Sequence, residues 1–66
     1  MPLPTQPLFP FPYETWAART SGRECAVVEY EPEADIVGYM YYDDQEKVLE
    51  ETATAFMRGH VFVRSP

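Results

Sequence analysis

The sequence predicts a small α+β domain, with a three-stranded antiparallel sheet in the order 2-1-3 and one helix on one face. Residues 24–31, 36–42 and 60–64 are short segments rich in β-branched and aromatic side chains, which is typical of strands. Residues 43–58 instead repeat apolar side chains at three- and four-residue spacing, as a helix with one buried face does. This order of elements predicts a ββαβ domain over residues 24–66.

An extended arm is expected before this domain, over residues 1–23. Five of the seven prolines lie within residues 1–12, where each fixes its own φ and keeps the preceding residue extended. We predict one short helical turn over residues 14–19, before Ser21 and Gly22 interrupt the chain. The arm is too apolar for a disordered tail. Its large apolar side chains are Phe9, Phe11, Tyr13 and Trp16.

The second predicted strand is apolar or aromatic on both faces, with Met40 and Tyr42 on one face and Tyr39 and Tyr41 on the other. One helix covers only one face of a sheet, and a large open apolar face is unusual on a monomer. We therefore expect the arm to cover the opposite face, in the same chain or in a neighbouring one. The aromatic residues assigned to core cover or partner binding are Phe9, Phe11, Tyr13, Trp16, Tyr39 and Tyr41.

The predicted helix begins at Asp43, a favourable N-cap, and Glu46 completes a pair that resembles a capping box. Gly59 is a natural left-handed stop at its end. We expect its buried stripe to consist of Val48, Leu49, Thr52, Ala53 and Phe56.

The net charge of −6 is unevenly placed, because residues 24–51 alone carry −9. Direct binding to nucleic-acid phosphates needs clustered Lys and Arg, so the charge disfavours it. A larger protein partner with a basic surface is favoured by the same Coulomb argument. A solvated acidic rim and an imitation of nucleic-acid phosphates are both left open. The acidic residues assigned to partner binding are Glu29, Glu31, Glu33, Asp35, Asp43 and Asp44.

Residues that could perform catalysis are few. Cys25 and His60 fall in strands that the predicted topology makes neighbours, as a nucleophile and its base would need. We favour a small core residue for Cys25 and an exposed strand end for His60. A single cysteine excludes internal disulfides, and two soft ligands are too few for a zinc site. We therefore expect no enzyme activity, no cofactor and no metal.

Residues 36–42 form the longest apolar run, and its seven residues are short of the ~20 that a membrane-spanning helix needs. The N-terminus does not have the pattern of a signal peptide, so a cytoplasmic location is expected. Pro4 and Pro7 form a P-x-x-P sequence that a proline-reading domain could bind, although such matches are frequent by chance in proline-rich chains. Base stacking on the tyrosines is disfavoured because basic neighbours are missing.

The ending "YMYYDDQEKVLEETATAFMRGHVFVR", a strand, an acidic cap, a helix, a glycine and a strand, resembles the layout of small acidic phage-encoded inhibitors of host machinery. That class includes the phage inhibitor of bacterial RNA polymerase and several anti-CRISPR proteins. The resemblance covers roughly residues 24–64 and concerns the order of elements. It implies a cytoplasmic protein that binds a host enzyme.

These observations predict a non-enzymatic protein-binding module, an inhibitor or accessory factor that docks on a basic groove of a larger nucleic-acid-handling protein. The alternative is a structural subunit whose N-terminal arm docks into a neighbouring chain of an assembly. Self-association of the domain is left open.

Overall fold

The computed structural model describes residues 9–66, so the P-x-x-P sequence at residues 4–7 lies outside the described residues. The described chain forms a small α+β domain with an antiparallel sheet and one helix, which confirms the predicted class. The elements in chain order are β1 (Thr15–Ala18), β2 (Glu24–Glu31), β3 (Ile36–Tyr41), β4 (Leu49–Thr52), α1 (Ala53–Gly59) and β5 (His60–Arg64).

The sheet has five strands in the order β4-β3-β2-β1-β5, with every neighbouring pair antiparallel. The first four strands form a meander in which each strand pairs with the next along the chain. Helix α1 then carries the chain from the β4 edge to the β5 edge. The three predicted strands are present and keep their relative order 2-1-3, but the predicted three-stranded ββαβ sheet is not confirmed, because β1 lies between the first and third of them and β4 adds a fifth strand at one edge.

The helical turn predicted over residues 14–19 is wrong, since this stretch forms strand β1 between β2 and β5. Trp16 pairs with Cys25 on one side and with Phe62 on the other, and its side chain is fully buried. A strand lets this tryptophan reach the core while its backbone pairs on both sides. Tertiary pairing therefore overrides the local preference of Ala17 and Ala18 for helix.

The helix predicted over residues 43–58 is much shorter in the structure. Residues 42–48 form turns, β4 follows, and α1 begins after Thr52, whose hydroxyl accepts a hydrogen bond from the Ala55 amide. Asp43 is therefore not the N-cap. The reason is the sheet edge: β4 supplies the backbone partners of β3, which would otherwise be an exposed apolar edge.

The hydrophobic core lies on the face of the sheet that the helix covers, here called the first face. Residues opposite each other in antiparallel strands point to the same face, so the register identifies its members. Phe56 from the helix packs edge-on against Trp16, with ring centroids 5.3 Å apart, and is tilted against Tyr39 at 4.8 Å. The buried cluster consists of Trp16, Cys25, Val27, Val37, Tyr39 and Phe56.

The arm does not take the position expected for it. Phe9 and Phe11 contact Tyr30, which pairs with the buried Val37 and so belongs to the first face. Phe9 and Phe11, in the described part of the arm, therefore lie on the same face as the helix. On the opposite, second face Tyr42 reaches across the sheet and its hydroxyl bonds the Thr15 hydroxyl at 2.6 Å.

Candidate protein-docking site

The described part of the arm, residues 9–14, is fixed to its own sheet. Pro10 is fully buried, and the Phe9 ring stacks on Tyr30 with centroids 5.9 Å apart. Phe11 approaches the same tyrosine edge-on at 6.1 Å. The Tyr13 amide donates to the Val27 carbonyl at 2.8 Å, so the arm enters the sheet directly ahead of β1.

A buried carboxylate secures this entry. Glu14 is 7% exposed, and its Oε1 atom accepts hydrogen bonds from the Phe11 amide at 2.8 Å and from the Trp16 indole at 3.2 Å. One oxygen thus connects the bend of the arm to the largest side chain of the core. Hydrogen bonds to a buried charged group are among the stronger ones in proteins.

Tyr13 has a φ of 72°, in the left-handed region that a bulky residue rarely adopts. Its side chain is 73% exposed, so burial of the ring does not compensate this backbone. The bend leaves the Phe9 and Phe11 rings about half exposed beside Tyr13.

The β2–β3 hairpin closes with a tight turn over residues 32–35. The Asp35 amide donates to the Pro32 carbonyl at 3.3 Å, and Asp35 has a φ of 55°, which aspartate tolerates better than most residues. The Asp35 carbonyl in turn accepts the Ala53 amide at the start of α1. The turn is therefore held to the helix as well as to its own strands.

Four exposed acids occupy this hairpin, which we call the acidic hairpin (residues 29–35). A β-bulge sets Val28 and Glu29 opposite Gly38, and a Cβ on Gly38 would lie 3.1 Å from the Glu29 Cγ. Glycine at that position lets the Glu29 side chain cross the neighbouring strand. The acids of the hairpin are Glu29, Glu31, Glu33 and Asp35.

The other predicted acids lie at the opposite end of β3, in the turns of residues 42–48, and have a different environment. Arg23 forks Asp43 with two hydrogen bonds of 2.6 and 3.0 Å, and its guanidinium carbon lies 4.1 Å from the centroid of the Tyr41 ring. The hydrogen bond from Arg23 lowers the pKa of Asp43 below its ordinary value. Asp44 is exposed beside it.

An open cavity of about 410 Å³ lies at the acidic hairpin. The described residues that line it are one aromatic residue, two small apolar residues and two acidic residues. The lining residues are Tyr30, Glu31, Pro32, Glu33 and Ala34.

Two of the aromatic residues assigned to partner binding or core cover, Trp16 and Tyr39, are buried in the core. The Tyr39 hydroxyl donates to Glu51 of β4 at 2.5 Å. Burial and this hydrogen bond raise the pKa of Tyr39. Tyr41 is half-buried and bonds His60 Nε2 at 2.9 Å, so these tyrosines face the helix side of the sheet rather than a free surface.

The Cys25–His60 pair is not arranged for nucleophilic chemistry. Burial raises the pKa of the Cys25 thiol to about 11, and the side chain is fully buried, as predicted. His60 is only 4% exposed, so its predicted place at an exposed strand end is wrong. Its Nδ1 bonds the Phe56 carbonyl at 2.9 Å and its Nε2 bonds Tyr41, so both ring nitrogens have partners.

Within residues 9–66, no three His, Cys, Asp or Glu side chains are grouped to hold a metal ion. No helix in the same range is long and apolar enough to cross a membrane.

The structure brings together residues that are apart in the sequence. Phe9 and Phe11 of the arm pack on Tyr30 of the hairpin that carries Glu31 and Glu33, whereas Asp43 and Asp44 lie at the other end of β3. Sequence reasoning missed the residue that joins the two parts, Tyr30. Strict alternation from the buried Cys25 and Val27 would place Tyr30 on the second face, and the β-bulge between Val27 and Glu29 is what returns it to the first face.

No family model, curated protein or solved structure matches this chain in the comparisons.

Proposed function

We propose that this chain is a non-enzymatic protein-binding module that docks through the acidic hairpin on a basic surface of a larger protein. The observation that carries the proposal is the state of the hairpin acids. Among residues 9–66 the two ion pairs are Arg23–Asp43 and Arg64–Glu24, so neither neutralises the hairpin. Its carboxylates are available to a partner.

The rigidity of the hairpin also supports a docking role. Strand β3, which follows its turn, pairs with β4 over residues 36–39, and the turn is tied to the helix through the Asp35 carbonyl. Charges on a rigid element lose little freedom on binding, so more of the Coulomb attraction appears as affinity. Attraction of this kind chiefly speeds association and selects partners of opposite charge.

A nucleic-acid-handling partner fits this surface best. Glu29 and Glu31 alternate along one side of β2, about 6.5–7 Å apart by strand geometry. This spacing is close to that of successive phosphates, although any outward pair on a strand has it. An inhibitor or accessory factor of such a protein, of the kind that phages encode, is therefore the form of the proposal that we favour.

The structural-subunit alternative has less support. It needs the arm to leave its own chain, but Pro10 is buried and the Tyr13 amide is bonded within the same chain. Docking of the arm into a neighbour would then depend on residues 1–8, which lie outside the described residues.

Affinity purification from a bacterial lysate tests the proposal with two variants of equal charge change. Glu31→Lys with Glu33→Lys reverses the acidic hairpin, whereas Asp44→Lys with Glu46→Lys reverses exposed acids at the other end of β3. We expect the wild-type chain and the second variant to recover the same nucleic-acid-handling protein, in a salt-sensitive way, and the first variant to lose it.

Circular dichroism and the thermal midpoint show whether both variants remain folded. If the variant with Glu31→Lys and Glu33→Lys recovers the partner protein as well as the wild-type chain does, the proposal is contradicted. Equal loss with both variants would contradict it too, since general charge and not the hairpin would then govern binding.

A further inference from the structure

The second face of the sheet carries apolar side chains that helix α1, packed on the first face, does not cover. Ala26 pairs with Met40, and both alternate with buried core residues of their own strands, so they lie on the second face. Val48 directly precedes Leu49, which packs on the core, so alternation places Val48 on the second face as well. We call Ala26, Met40, Tyr42 and Val48 the apolar patch.

The apolar patch is accessible. Tyr42 is 40% exposed and Val48 is 55% exposed, while Ala26 and Met40 are half-buried between them. Single exposed apolar side chains need no explanation, but a contiguous group rimmed by polar residues marks an interaction surface.

The width of the apolar patch suits a helix. If the β3–β4 register is continued by one pair, Val48 lies opposite Met40, so Ala26, Met40 and Val48 form one row across the sheet. The row spans two strand spacings, about 10 Å. An α-helix with its side chains is about 10–12 Å wide. A helix laid along β3 would therefore cover the row and Tyr42 together.

Two acids border the apolar patch on the side of the acidic hairpin. Glu29 of β2 and Glu50 of β4 both lie opposite Gly38, about 6.5–7 Å along β3 from Met40. The Glu29 side chain leans over Gly38 and so towards β4. Neither ion pair of residues 9–66 involves Glu29 or Glu50. The second face therefore passes from apolar side chains to two acids that have no cation within this range.

Charge decides which molecule suits this face. By register, its charged strand residues are four acids and one arginine: Glu24, Glu29, Glu31, Glu50 and Arg64. A second copy of the chain on the same face would bring these acids together, and nucleic acid or an anionic lipid surface would be repelled by them. A protein segment that carries Lys or Arg beside apolar side chains is attracted instead.

We propose that the second face, between β2 and β4, binds a cationic amphipathic helix of a protein partner. This inference rests on the proposed function and names the element by which the partner is bound. The apolar stripe of the helix contacts the apolar patch. Its Lys or Arg side chains, on either side of the stripe, contact Glu29 and Glu50.

Two synthetic peptides test this surface on the full chain. The first is acetyl-Leu-Lys-Lys-Leu-Leu-Lys-Lys-Leu-Leu-Lys-Lys-Leu-amide, whose leucines form one stripe of a helix. The second has glutamate in place of every lysine. NMR of ¹³C-labelled methionine methyl groups distinguishes the two faces, because Met40 lies on the second face and Met57 of α1 packs against the core of the first.

We expect the lysine peptide to shift the Met40 methyl signal saturably and to leave the Met57 signal in place. The glutamate peptide should bind at least about tenfold more weakly, because like charges then meet at the acids. Equal binding of the two peptides, or equal shifts of the two methyl groups, would overturn the proposal. So would a Met40 shift that depends on the concentration of the protein alone, since a second copy would then occupy the face.

Variants with the same change of charge separate the apolar patch from general attraction. Val48→Lys should weaken binding of the lysine peptide at least about fivefold, and Glu50→Gln about threefold. Ala55→Lys adds a cation at an exposed position of α1 and should alter binding by less than about twofold. Circular dichroism checks that each variant is folded. Undiminished binding by Val48→Lys, or equal weakening by Ala55→Lys, would overturn the proposal.

These outcomes are distinguishable from failure of the proposed function. Peptide binding that depends on Val48 and Glu50, with no hairpin-dependent partner in the lysate, supports the helix-binding face and contradicts the function. A lysate partner that depends on Glu31 and Glu33 but is still recovered by Val48→Lys overturns the helix-binding face and leaves the function supported.

Discussion

The two acidic turns at the ends of β3 have similar compositions and opposite electrostatic states. The turns of residues 42–48 carry Asp43, which Arg23 neutralises while stacking on Tyr41. The acidic hairpin carries four carboxylates, and neither ion pair of the described residues involves them. Both stretches looked like partner-binding acids in the sequence. Only the fold shows that one of them has an internal cation.

The two ends of the core are covered in different ways, one by an ion pair and the other by apolar side chains. Arg23 is placed next to the half-buried Tyr41, whose hydroxyl bonds the buried His60, so the ion pair covers one end of the core. The other end of the core is covered by the arm: Pro10 is buried there, and the Phe9 and Phe11 rings pack on Tyr30. At that end, no ion pair within the described residues involves the carboxylates.

Removing Trp16 should have the largest effect on the stability of the domain. This residue packs the end of the domain that the arm covers onto the core. Trp16→Ala leaves a large cavity against Phe56 and Phe62, and we expect it to lower the free energy of unfolding by ~3–5 kcal/mol. Urea unfolding followed by circular dichroism measures the change. Val63→Ala, at a position 38% exposed, is the control and should change stability little. A small effect of Trp16→Ala would contradict the described core.

Removing the Glu14 carboxylate should have the next largest effect on the free energy of unfolding. Glu14→Ala leaves the Phe11 amide and the Trp16 indole without their acceptor, which we expect to lower the free energy of unfolding by about 1–3 kcal/mol. Glu14→Gln keeps an acceptor oxygen and should cost less, so the pair of variants separates hydrogen bonding from packing. Equal effects of the two variants in urea unfolding would show that the hydrogen bonds contribute little.

Alkaline pH should lower the stability of the fold, because the buried Cys25 thiol lies in the core between the two ends of β3. The pKa of Cys25 rises from 9.0 to about 11 on burial, so the neutral thiol is favoured in the fold. Its contribution to stability is complete below pH 9 and is lost as pH rises towards 11, by ~1–2 kcal/mol. Urea unfolding between these values measures the loss, which Cys25→Ala should reduce. Rapid iodoacetamide labelling of the native chain near neutral pH would contradict the burial of this thiol.

Breaking the Arg23–Asp43 ion pair should change stability least of the four changes. It tests most directly whether the two ends of β3 differ in their electrostatic state. The hydrogen bond from Arg23 holds the pKa of Asp43 below its ordinary value of 3.8. The pair's contribution to stability is therefore present above pH 3.8 and is lost as pH falls through the folded value. NMR titration of the Asp43 carboxyl should show its pKa rising towards the ordinary value in Arg23→Gln. No change in this variant would remove the distinction between the two ends.

The sequence predicted the strands whose alternation is clear. Residues 24–31 and 60–64 coincide with β2 and β5, and β3 ends one residue before its predicted limit. These segments have enough β-branched and aromatic residues to outweigh their neighbours. The acidic hairpin followed from them, because a proline-led turn between two strands leaves its acids exposed.

The remaining elements depend on long-range pairing that local patterns do not contain. Residues 43–52 have a good cap and strong helix formers, yet β4 forms because the edge of β3 needs a partner. Strand β1 was not predicted, because Ala17 and Ala18 locally favour a helix. Its place between β2 and β5 is set by Trp16. The arm was expected on the second face, whereas its residues Phe9 and Phe11 pack on Tyr30, which the β-bulge in β2 turns to the first face.

The crossover from β4 to β5 has a consequence for how the chain folds. Strands β1 to β4 can assemble by successive hairpins between sequence neighbours, but within residues 9–66 β5 pairs with β1 alone, near the other end of this range. Closing that long loop carries the larger entropic penalty, so the meander should form first and β5 should dock last. Until it does, the edge of β1 and the Trp16 ring stay uncovered on one side. We therefore expect β5 docking to limit the rate of folding, and a chain in which β5 has not yet docked exposes an unpaired strand edge of the kind that favours aggregation.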